Sequence, residues 1–268
     1  MTDFIKTGVI GHPIAHSKSP LIHNYWLGKY GLNGAYKSID IHPNDLKQGI
    51  KKLIDEGYAG FNVTIPHKIS IMDLCDEIDD LAKEIGAVNT VTIKEGKLYG
   101  TNTDAYGFIQ NIKSNEPDFD FKAGKAVILG AGGAANAIAY ALIKESVSEI
   151  IITNRTKEKA QKLARGIIEV IDWEDRNKAI KNANLVINTT SLGMAGQPAL
   201  DIELSNNNLV TDIVYAPLHT DLLKQAQSKN IKIVTGIGML LHQACRGFEL
   251  WNGVFPEVTN ELEQMVLA

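Results

Sequence analysis

The order of apolar and polar positions along the chain predicts short strands that alternate with helices. The clearest example is Lys125 to Tyr140, KAVILGAGGAANAIAY, in which a short apolar run meets a glycine cluster and then an uncharged helical pattern. We interpret this stretch as a strand, a tight turn and a helix of roughly fifteen residues. Glu149 to Thr153, EIIIT, then predicts a second strand, so the three elements form a βαβ unit.

The glycine cluster matches a dinucleotide-binding pattern. Gly130, Gly132 and Ala135 occupy the key positions of the template G-x-G-x-x-G/A. Such a turn lets the backbone approach a pyrophosphate closely, and the following helix offers unpaired N–H groups to it. Ordinary glycine-rich turns show the same letters, so the pattern alone is weak. The surrounding βαβ unit favours the dinucleotide site.

The residues after the second strand bear on which dinucleotide is bound. An NAD site would place an acidic residue there for the ribose hydroxyls, whereas this chain has Asn154, Arg155 and Thr156. A guanidinium can stack on adenine and bind a 2′-phosphate, which a carboxylate would repel. The sequence therefore favours NADP over NAD, with a solvated arginine at a surface strand end as the alternative.

Similar alternation on both sides of this unit predicts an α/β protein throughout. Strand patterns occupy Lys6–Gly11, Ala35–Ile41, Gly60–Ile65, Gly86–Thr92, the start of Lys97–Phe108, Ala183–Thr190, Leu209–Tyr215 and Lys232–Thr235. Helical patterns follow Ser19-Pro20 and occupy Pro43–Glu56, Ile69–Ile85, the stretch from Ala105, Asp221–Lys229 and the last helix, which begins near Met239.

Polar side chains stand at the ends of several predicted strands. Ser17 and Ser19 bracket a helix start, where they could cap the helix or face a hydroxylated or carboxylated ligand. Asn62 and Thr64 lie two apart, so they project from the same face of their strand. Lys68 follows soon after, either as a surface lysine or as a catalytic amine.

Three further polar residues lie later in the chain. Asn89 could be a turn residue, and Asp104 could simply cap the helix from Ala105. An aspartate beside a lysine would instead position that lysine and share its proton chemistry. Gln243 is the clear polar candidate for a ligand contact on the last helix, or it could hydrogen-bond across a domain interface.

Composition and charge narrow the range of partners. The chain has 268 residues, 44% of them hydrophobic, and a net charge of −4 with no basic stripe, so we expect neither a nucleic acid nor a membrane as partner. Two cysteines are too few for a disulfide framework, and MTDFIKTGVIG lacks the apolar segment of a secretory signal, which leads us to expect the cytoplasm. We find no metal-ligand spacing and expect no metal site.

Taken together, these motifs resemble the shikimate dehydrogenase family over nearly the whole chain. The matching segments are HSKSP at 16–20, NVTIPHK at 62–68, GAVNT at 86–90, NTDAYGF at 102–108, GAGGAA at 130–135, NRT at 154–156, NTTSLGM at 188–194, DIVYAP at 212–217, GIGMLLHQ at 236–243 and FELWNG at 248–253. The resemblance implies NADPH-dependent reduction of 3-dehydroshikimate to shikimate in the aromatic amino-acid pathway, by an enzyme of the single-activity bacterial type.

The resemblance also implies roles for individual residues. Lys68 matches the family's catalytic lysine, and Asp104 would hold it in place. The residues that match substrate contacts are Ser17, Ser19, Asn62, Thr64, Asn89, Asp104, Tyr215 and Gln243. Those that match cofactor contacts are Asp80, Gly130, Ala131, Gly132, Gly133, Ala134, Asn154, Arg155, Thr156, Lys159, Ile213 and Gly236.

We therefore expect an N-terminal α/β substrate domain and a Rossmann-type NADP-binding domain with the active site in the cleft between them. The substrate domain would comprise 1–104 joined by the C-terminal helix 239–268, and the cofactor domain 105–238. The protein would be a monomer or a homodimer. Two alternatives stay open: a quinate/shikimate dehydrogenase with relaxed substrate and NAD use, and a non-catalytic NADP-binding regulator on the same fold.

Overall fold

The computed structural model describes residues 4–205 and 208–268, and it divides the chain into two compact units. Unit 1 comprises Met1–Asp104 and Leu241–Ala268, and unit 2 comprises Ala105–Leu240. Within the described ranges, no helix is both long enough and apolar enough to cross a membrane.

The described part of unit 1 contains a mixed six-stranded sheet with the strand order β2-β1-β3-β5-β6-β4. Its strands are β1 (Ile5–Gly11), β2 (Gly34–Asp40), β3 (Tyr58–Val63), β4 (Glu77–Ile78), β5 (Thr90–Lys94) and β6 (Lys97–Thr101). β1 runs parallel to β2 and β3, whereas β5 is antiparallel to β3 and to β6. Ile10, Phe61 and Val91 from these central strands are fully buried in the core, which fixes the face of each strand that carries polar residues.

Helices of both chain segments complete unit 1. They are α1 (Ser19–Lys29), α2 (Leu46–Asp55), α3 (Asp80–Ile85), α9 (Ile237–Asn252), which begins in unit 2, and α10 (Asn260–Leu267). Helix α1 begins at the predicted Ser19-Pro20 step, since proline is favoured in the first turn. Trp26 of α1 packs edge-on against Phe248 of α9, and the Trp251 indole N–H donates to the Val91 carbonyl oxygen at 3.1 Å. The C-terminal segment thus supplies core side chains to unit 1.

Strand β2 lies at the edge of this sheet and is held there by a side chain of α1. The Asn24 amide oxygen accepts a hydrogen bond from the Tyr36 backbone N–H at 3.0 Å, and its amide nitrogen donates to the Tyr36 carbonyl at 2.9 Å. Asn24 therefore pairs with the backbone of Tyr36 as a neighbouring strand would.

The helix predicted over Ile69 to Ile85 is wrong for most of that stretch. A 3₁₀ turn at Ser70–Leu74 is followed by β4, and only then does α3 begin. Asp76 causes the first break, because its carboxylate accepts from the Leu98 N–H at 2.8 Å while its own N–H donates to the Leu98 carbonyl. The Asp79 carboxylate then caps α3 by accepting from the Ala82 N–H at 2.8 Å.

The described part of unit 2 contains a parallel six-stranded sheet with the order β12-β11-β10-β7-β8-β9. Its strands are β7 (Lys125–Leu129), β8 (Glu149–Thr153), β9 (Ile168–Ile171), β10 (Leu185–Asn188), β11 (Leu209–Asp212) and β12 (Lys232–Val234). Numbered from β7, this is the order 3-2-1-4-5-6 of a Rossmann fold, in which ligands bind at the carboxyl ends of the strands where the order reverses. The predicted Rossmann-type domain is confirmed.

Five helices accompany this sheet within the described residues: α4 (Asp104–Asn115), α5 (Gly133–Lys144), α6 (Lys157–Gln161), α7 (Arg176–Ile180) and α8 (Asp221–Ser228). The predicted strand, turn and helix around the glycine cluster are present, although α5 ends at Lys144 and has 12 residues. The sequence prediction missed β9, a strand of only 4 residues of which only Ile168 is buried, so its apolar signal is short.

Candidate active site

The central feature of unit 1 is an ion pair between Lys68 and Asp104. The Lys68 ammonium lies 2.5 Å from Oδ2 of Asp104, and the two side chains are 21% and 9% exposed. Lys68 follows the end of β3, and Asp104 is the first residue of α4. Because both groups are largely shielded from water, their attraction is stronger than that of a surface pair. The structure thus brings together the two residues predicted to be catalytic.

Asn89 engages the second oxygen of the same carboxylate. Its amide nitrogen donates to Oδ1 of Asp104 at 2.8 Å, and its amide oxygen accepts from the Thr103 backbone N–H at 2.8 Å. A backbone N–H can bond only to the oxygen end of an amide, so this contact fixes the orientation of Asn89. The Asp104 backbone N–H in turn donates to the Asn102 side chain at 3.0 Å. Both carboxylate oxygens therefore accept hydrogen bonds from nitrogen donors.

Gln243 of α9 reaches the same group of residues. The Thr103 hydroxyl donates to the Gln243 amide oxygen at 3.3 Å, and both side chains are buried. The residue beside Asp104 is thus linked to one that is 140 positions away in the chain. The sequence prediction included Gln243 but missed Thr103, although Thr103 directly precedes Asp104 in the NTD segment at 102–104.

Asn62, predicted as a substrate contact, is bonded within the protein at both ends of its amide. Its oxygen accepts from the Tyr36 hydroxyl at 2.6 Å. Its nitrogen donates to the Thr90 hydroxyl at 2.9 Å and to the Asn89 carbonyl at 3.3 Å. Burial raises the pKa of Tyr36 well above its ordinary value, and a hydrogen bond with the Ser19 side chain lowers it in part. The phenol therefore stays protonated, as its bond to Asn62 requires.

The other residues predicted to contact substrate in unit 1 lie near strand ends. The Ser17 hydroxyl oxygen accepts from the Ser19 N–H at 3.3 Å, but Lys18 is the N-cap residue of α1 and neither serine side chain caps the helix. Ser19 is buried and Ser17 is half-buried. Thr64 is half-buried one residue past β3, where its N–H donates to the Ile10 carbonyl at 3.0 Å.

The glycine turn predicted to bind a pyrophosphate connects β7 to α5. Gly130 has a φ of +114°, and a Cβ there would lie 2.4 Å from the Thr189 hydroxyl, so a side chain is excluded. Gly132 caps α5 without a side chain, and no atom lies within 4 Å of where its Cβ would be. The first N–H groups of α5, at Gly133 and Ala134, have no acceptor within the helix, which is the arrangement that binds anions at helix N-termini.

The turn after β8 carries the residues predicted to bind the 2′-phosphate. The Asn154 side chain donates to the Thr156 carbonyl at 2.8 Å and so shapes the turn, while Arg155 is exposed. Across the described residues, no hydrogen bond or ion pair engages the Arg155 guanidinium. Lys159 is also exposed and lies on α6, which begins directly after this turn. Arg155 is therefore free to bind a phosphate, which fits NADP.

Ile213 and Gly236 lie side by side at the carboxyl ends of β11 and β12. A Cβ on Gly236 would lie 2.6 Å from the Ile213 carbonyl oxygen, so only glycine allows this approach of the two backbones. Tyr215, two residues beyond Ile213, is half-buried, and burial raises its pKa. The structure thus places these three predicted residues in one region of unit 2.

A buried carboxylate that the sequence prediction missed organises this region. Asp212 accepts hydrogen bonds from the Asn188 amide at 3.1 Å, the Val214 N–H at 3.0 Å and the Thr220 hydroxyl at 2.8 Å. Burial raises the pKa of Asp212, and these three bonds lower it in part. Asp212 thereby ties the end of β10 to the loop after β11.

Asp80 differs from the other predicted cofactor contacts because it belongs to unit 1. It lies in the first turn of α3, is exposed, and stands 3.6 Å from the Lys83 ammonium. No other predicted cofactor residue lies in unit 1, and the role of Asp80, like the roles of the others, stays a prediction. Elsewhere in the described chain, no group of three or more His, Cys, Asp or Glu side chains is placed to hold a metal ion.

Comparison with known protein families gives matches in three regions of the chain. Residues 9–91 match the shikimate dehydrogenase substrate binding domain, and residues 112–200 match the model described as shikimate / quinate 5-dehydrogenase. Residues 236–258 match the shikimate 5′-dehydrogenase C-terminal domain. Together these regions span more than half of the chain.

Individual relatives agree with these matches. The shikimate dehydrogenase (NADP(+)) of Paramagnetospirillum magneticum is 45% identical to this chain over 268 residues. The match covers 97% of each of the two chains. The crystal structure of shikimate 5-dehydrogenase from Thermus thermophilus in complex with NADP(H) and shikimate is 34% identical, with 98% of each chain covered and a TM-score of 0.89.

A third relative binds a different cofactor. Quinate dehydrogenase from Corynebacterium glutamicum, solved in complex with NAD, is 31% identical, with 99% of each chain covered and a TM-score of 0.92. All three proteins match over nearly their full length. The chain therefore belongs to the shikimate dehydrogenase family.

Proposed function

We propose that this protein catalyses the reversible NADPH-dependent reduction of 3-dehydroshikimate to shikimate in the aromatic amino-acid pathway. The observation that carries the proposal is the shielded Lys68–Asp104 pair, whose carboxylate is oriented by Asn89. The relative from Thermus thermophilus was solved with NADP(H) and shikimate, which supports the same substrate class here.

Within this proposal, unit 1 takes the substrate and unit 2 takes the cofactor. Bound NADPH would supply the hydride for the ring carbonyl carbon. The Gly130–Ala134 turn would hold its pyrophosphate, and Ile213 with Gly236 would contact its nicotinamide end. Arg155, Lys159, Asn154 and Thr156 would hold the adenosine phosphate. We keep the predicted domain limits of 1–104 with 239–268 and of 105–238 for these two roles.

Lys68 is the proposed proton donor. Its ammonium has three N–H groups, of which one is directed at Asp104, so the others remain for the substrate oxygen that becomes an alkoxide. In the oxidation direction the neutral amine accepts the proton back. Asp104 holds the nitrogen in place through Oδ2 and contacts the same substrate hydroxyl. The two side chains given these roles, Lys68 and Asp104, are in direct contact.

Neutral polar side chains are proposed to hold the hydroxyls and carboxylate of the substrate. They are Ser17, Ser19, Asn62, Thr64, Asn89, Tyr215 and Gln243, as predicted from the sequence. Such groups orient a polyhydroxylated ring without adding charge, which favours positioning for reaction.

The test is NADPH absorbance in the presence of 3-dehydroshikimate, with shikimate identified as the product. A matched reaction with Lys68→Ala gives the background, because that variant keeps the cofactor site. Binding of NADPH by the normal chain without turnover above this background would refute the enzyme and support a non-catalytic NADP-binding regulator.

A quinate/shikimate dehydrogenase that uses NAD is the second candidate, because the quinate dehydrogenase structure has a TM-score of 0.92 to this chain. The same assay with quinate and with NAD separates the two. We expect a preference for shikimate with NADP because of the free Arg155 guanidinium. A preference for quinate with NAD would reverse the choice.

We further infer a cytoplasmic location and a monomer or homodimer. The thiols of Cys75 and Cys245 are free, as is usual in a reducing compartment. Fractionation of the source cells would test the location, and light scattering of the purified protein would test the assembly.

A further inference from the structure

We propose that Tyr36 is a positioning residue for this reaction and acts on the catalytic pair through Asn62, Thr90 and Asn89. The proposal rests on the proposed function, because it concerns the turnover number of that reaction. Neither Tyr36 nor Thr90 was among the residues predicted from the sequence. Both are buried, with Tyr36 2% exposed and Thr90 0% exposed.

The direction of the hydrogen bonds starts from a backbone group. The Asn62 side chain faces the Asn89 carbonyl oxygen at 3.3 Å, and a carbonyl can only accept. This end of the Asn62 amide is therefore its nitrogen, so its oxygen faces Tyr36. The Tyr36 phenol must donate to it, at 2.6 Å.

The next step passes through the Thr90 hydroxyl. It accepts from the Asn62 nitrogen at 2.9 Å and donates to the Asn89 amide oxygen at 2.9 Å. The same oxygen accepts from the Thr103 N–H, so the Asn89 nitrogen is directed at Asp104. Every donor in this series thus points towards the Asp104 carboxylate, which Lys68 approaches from its other oxygen.

Tyr36 is held from several sides, as an anchor of such a series must be. Its ring stacks on His23 with 4.0 Å between centroids and 5° between planes. Its backbone is paired with Asn24, and Ser19 hydrogen-bonds to its phenol oxygen. Removing only the hydroxyl leaves the stacking and the backbone pairing in place, so Tyr36→Phe isolates the role of the hydrogen bond.

The expected effect is on turnover. Loss of one buried hydrogen bond can lower a rate about 3- to 10-fold. Tyr36→Phe should therefore lower kcat by that factor and leave KM for NADPH unchanged. Thr90→Val should act alike because it removes the relaying hydroxyl at nearly constant shape, and Thr90→Ser should restore kcat. Tyr25→Phe is the matched control, since its phenol bonds to the exposed Glu261 carboxylate at 2.9 Å and should not affect kcat.

The decisive measurement combines Tyr36→Phe with Lys68→Ala. If Tyr36 acts through the catalytic pair, its factor in kcat disappears when Lys68 is already absent. An equal factor in both backgrounds, or an unchanged kcat in Tyr36→Phe, would overturn the proposal. Thermal unfolding of each variant reports on folding, and if Tyr36→Phe does not fold, the contrast between Thr90→Val and Thr90→Ser decides instead.

Failure of this proposal can be told apart from failure of the proposed function. Absence of 3-dehydroshikimate turnover in the unmodified protein would refute the function itself. Normal turnover that is insensitive to the Tyr36 and Thr90 substitutions would refute only the positioning role.

Discussion

Replacing Asp104 by asparagine tests the catalytic pair with the smallest change in shape. The asparagine oxygen would keep the bond from Asn89, because that nitrogen needs an acceptor. The new amide nitrogen would then face the Lys68 ammonium across the present 2.5 Å contact, so two donors would oppose each other. Lys68 would lose its acceptor and leave the position from which it donates a proton.

The size of the effect follows from the burial of this pair. Hydrogen bonds to charged groups are worth about 1.5–3 kcal/mol, and at 9% exposure the Asp104 side chain has little screening by water. This corresponds to a loss of about 10- to 150-fold in kcat for 3-dehydroshikimate reduction. KM for NADPH should stay unchanged, because apart from Asp80 the predicted cofactor residues belong to unit 2. Initial rates at saturating NADPH, followed by its absorbance, give both constants.

Glu116→Gln is the matched control for Asp104→Asn. Glu116 also pairs with a lysine at 2.5 Å, but the Lys232 side chain is 69% exposed. Surface pairs contribute about 0–1 kcal/mol to stability, and this one is in no proposed site, so kcat should change less than about twofold. A loss of less than about threefold in Asp104→Asn would refute the argument, as would equal losses in the two variants.

The remaining predictions concern proton donation, cofactor choice and acid stability. Lys68→Ala should lower kcat by about 10²- to 10⁴-fold with a much smaller change in KM, and a change in KM alone would make Lys68 a binding residue. Arg155→Ala should weaken NADP binding by about 1.5–3 kcal/mol and NAD binding little, as measured by titration calorimetry; equal losses would contradict the assignment. Burial lowers the pKa of His23 from 6.5 to about 3, so below pH 6.5 the unfolded chain binds a proton that the folded chain does not, and stability falls as the pH falls. When the pH falls from 6.5 to about 5, the free energy of unfolding, measured in urea, should fall by about 2 kcal/mol more in the unmodified protein than in His23→Phe. Equal decreases in the two proteins would exclude His23 as the cause.

The parts of the fold that were predictable are those with strong local patterns. The βαβ element around Gly130 was predicted correctly because its buried strands, its glycine turn and its uncharged helix each carry their own signal within a few residues. The stretch from Ile69 to Ile85 failed because Asp76 bonds to Leu98, a partner 22 residues away that helical spacing does not reveal.

The candidate site likewise contains residues that the sequence predicted and residues that it did not. The resemblance supplied Lys68, Asp104 and Asn89, and the structure brings them together. It did not supply Tyr36, whose importance follows from a bond to Asn62 across 26 positions and from a stacked His23. A tyrosine in an alternating strand looks like any core residue until the fold places its hydroxyl against a buried amide.

The two-segment composition of unit 1 has a consequence for synthesis of the chain. Trp251 and Phe248, which pack into unit 1, are synthesised after the whole of Ala105–Leu240, which is one continuous piece of chain. Domains fold as units while the chain grows, so unit 2 can complete its sheet during synthesis, whereas unit 1 lacks α10 and most of α9 until all of unit 2 has been synthesised. We expect unit 1 to stay incomplete until then, with the Val91 carbonyl oxygen lacking its Trp251 donor, and to fold after unit 2.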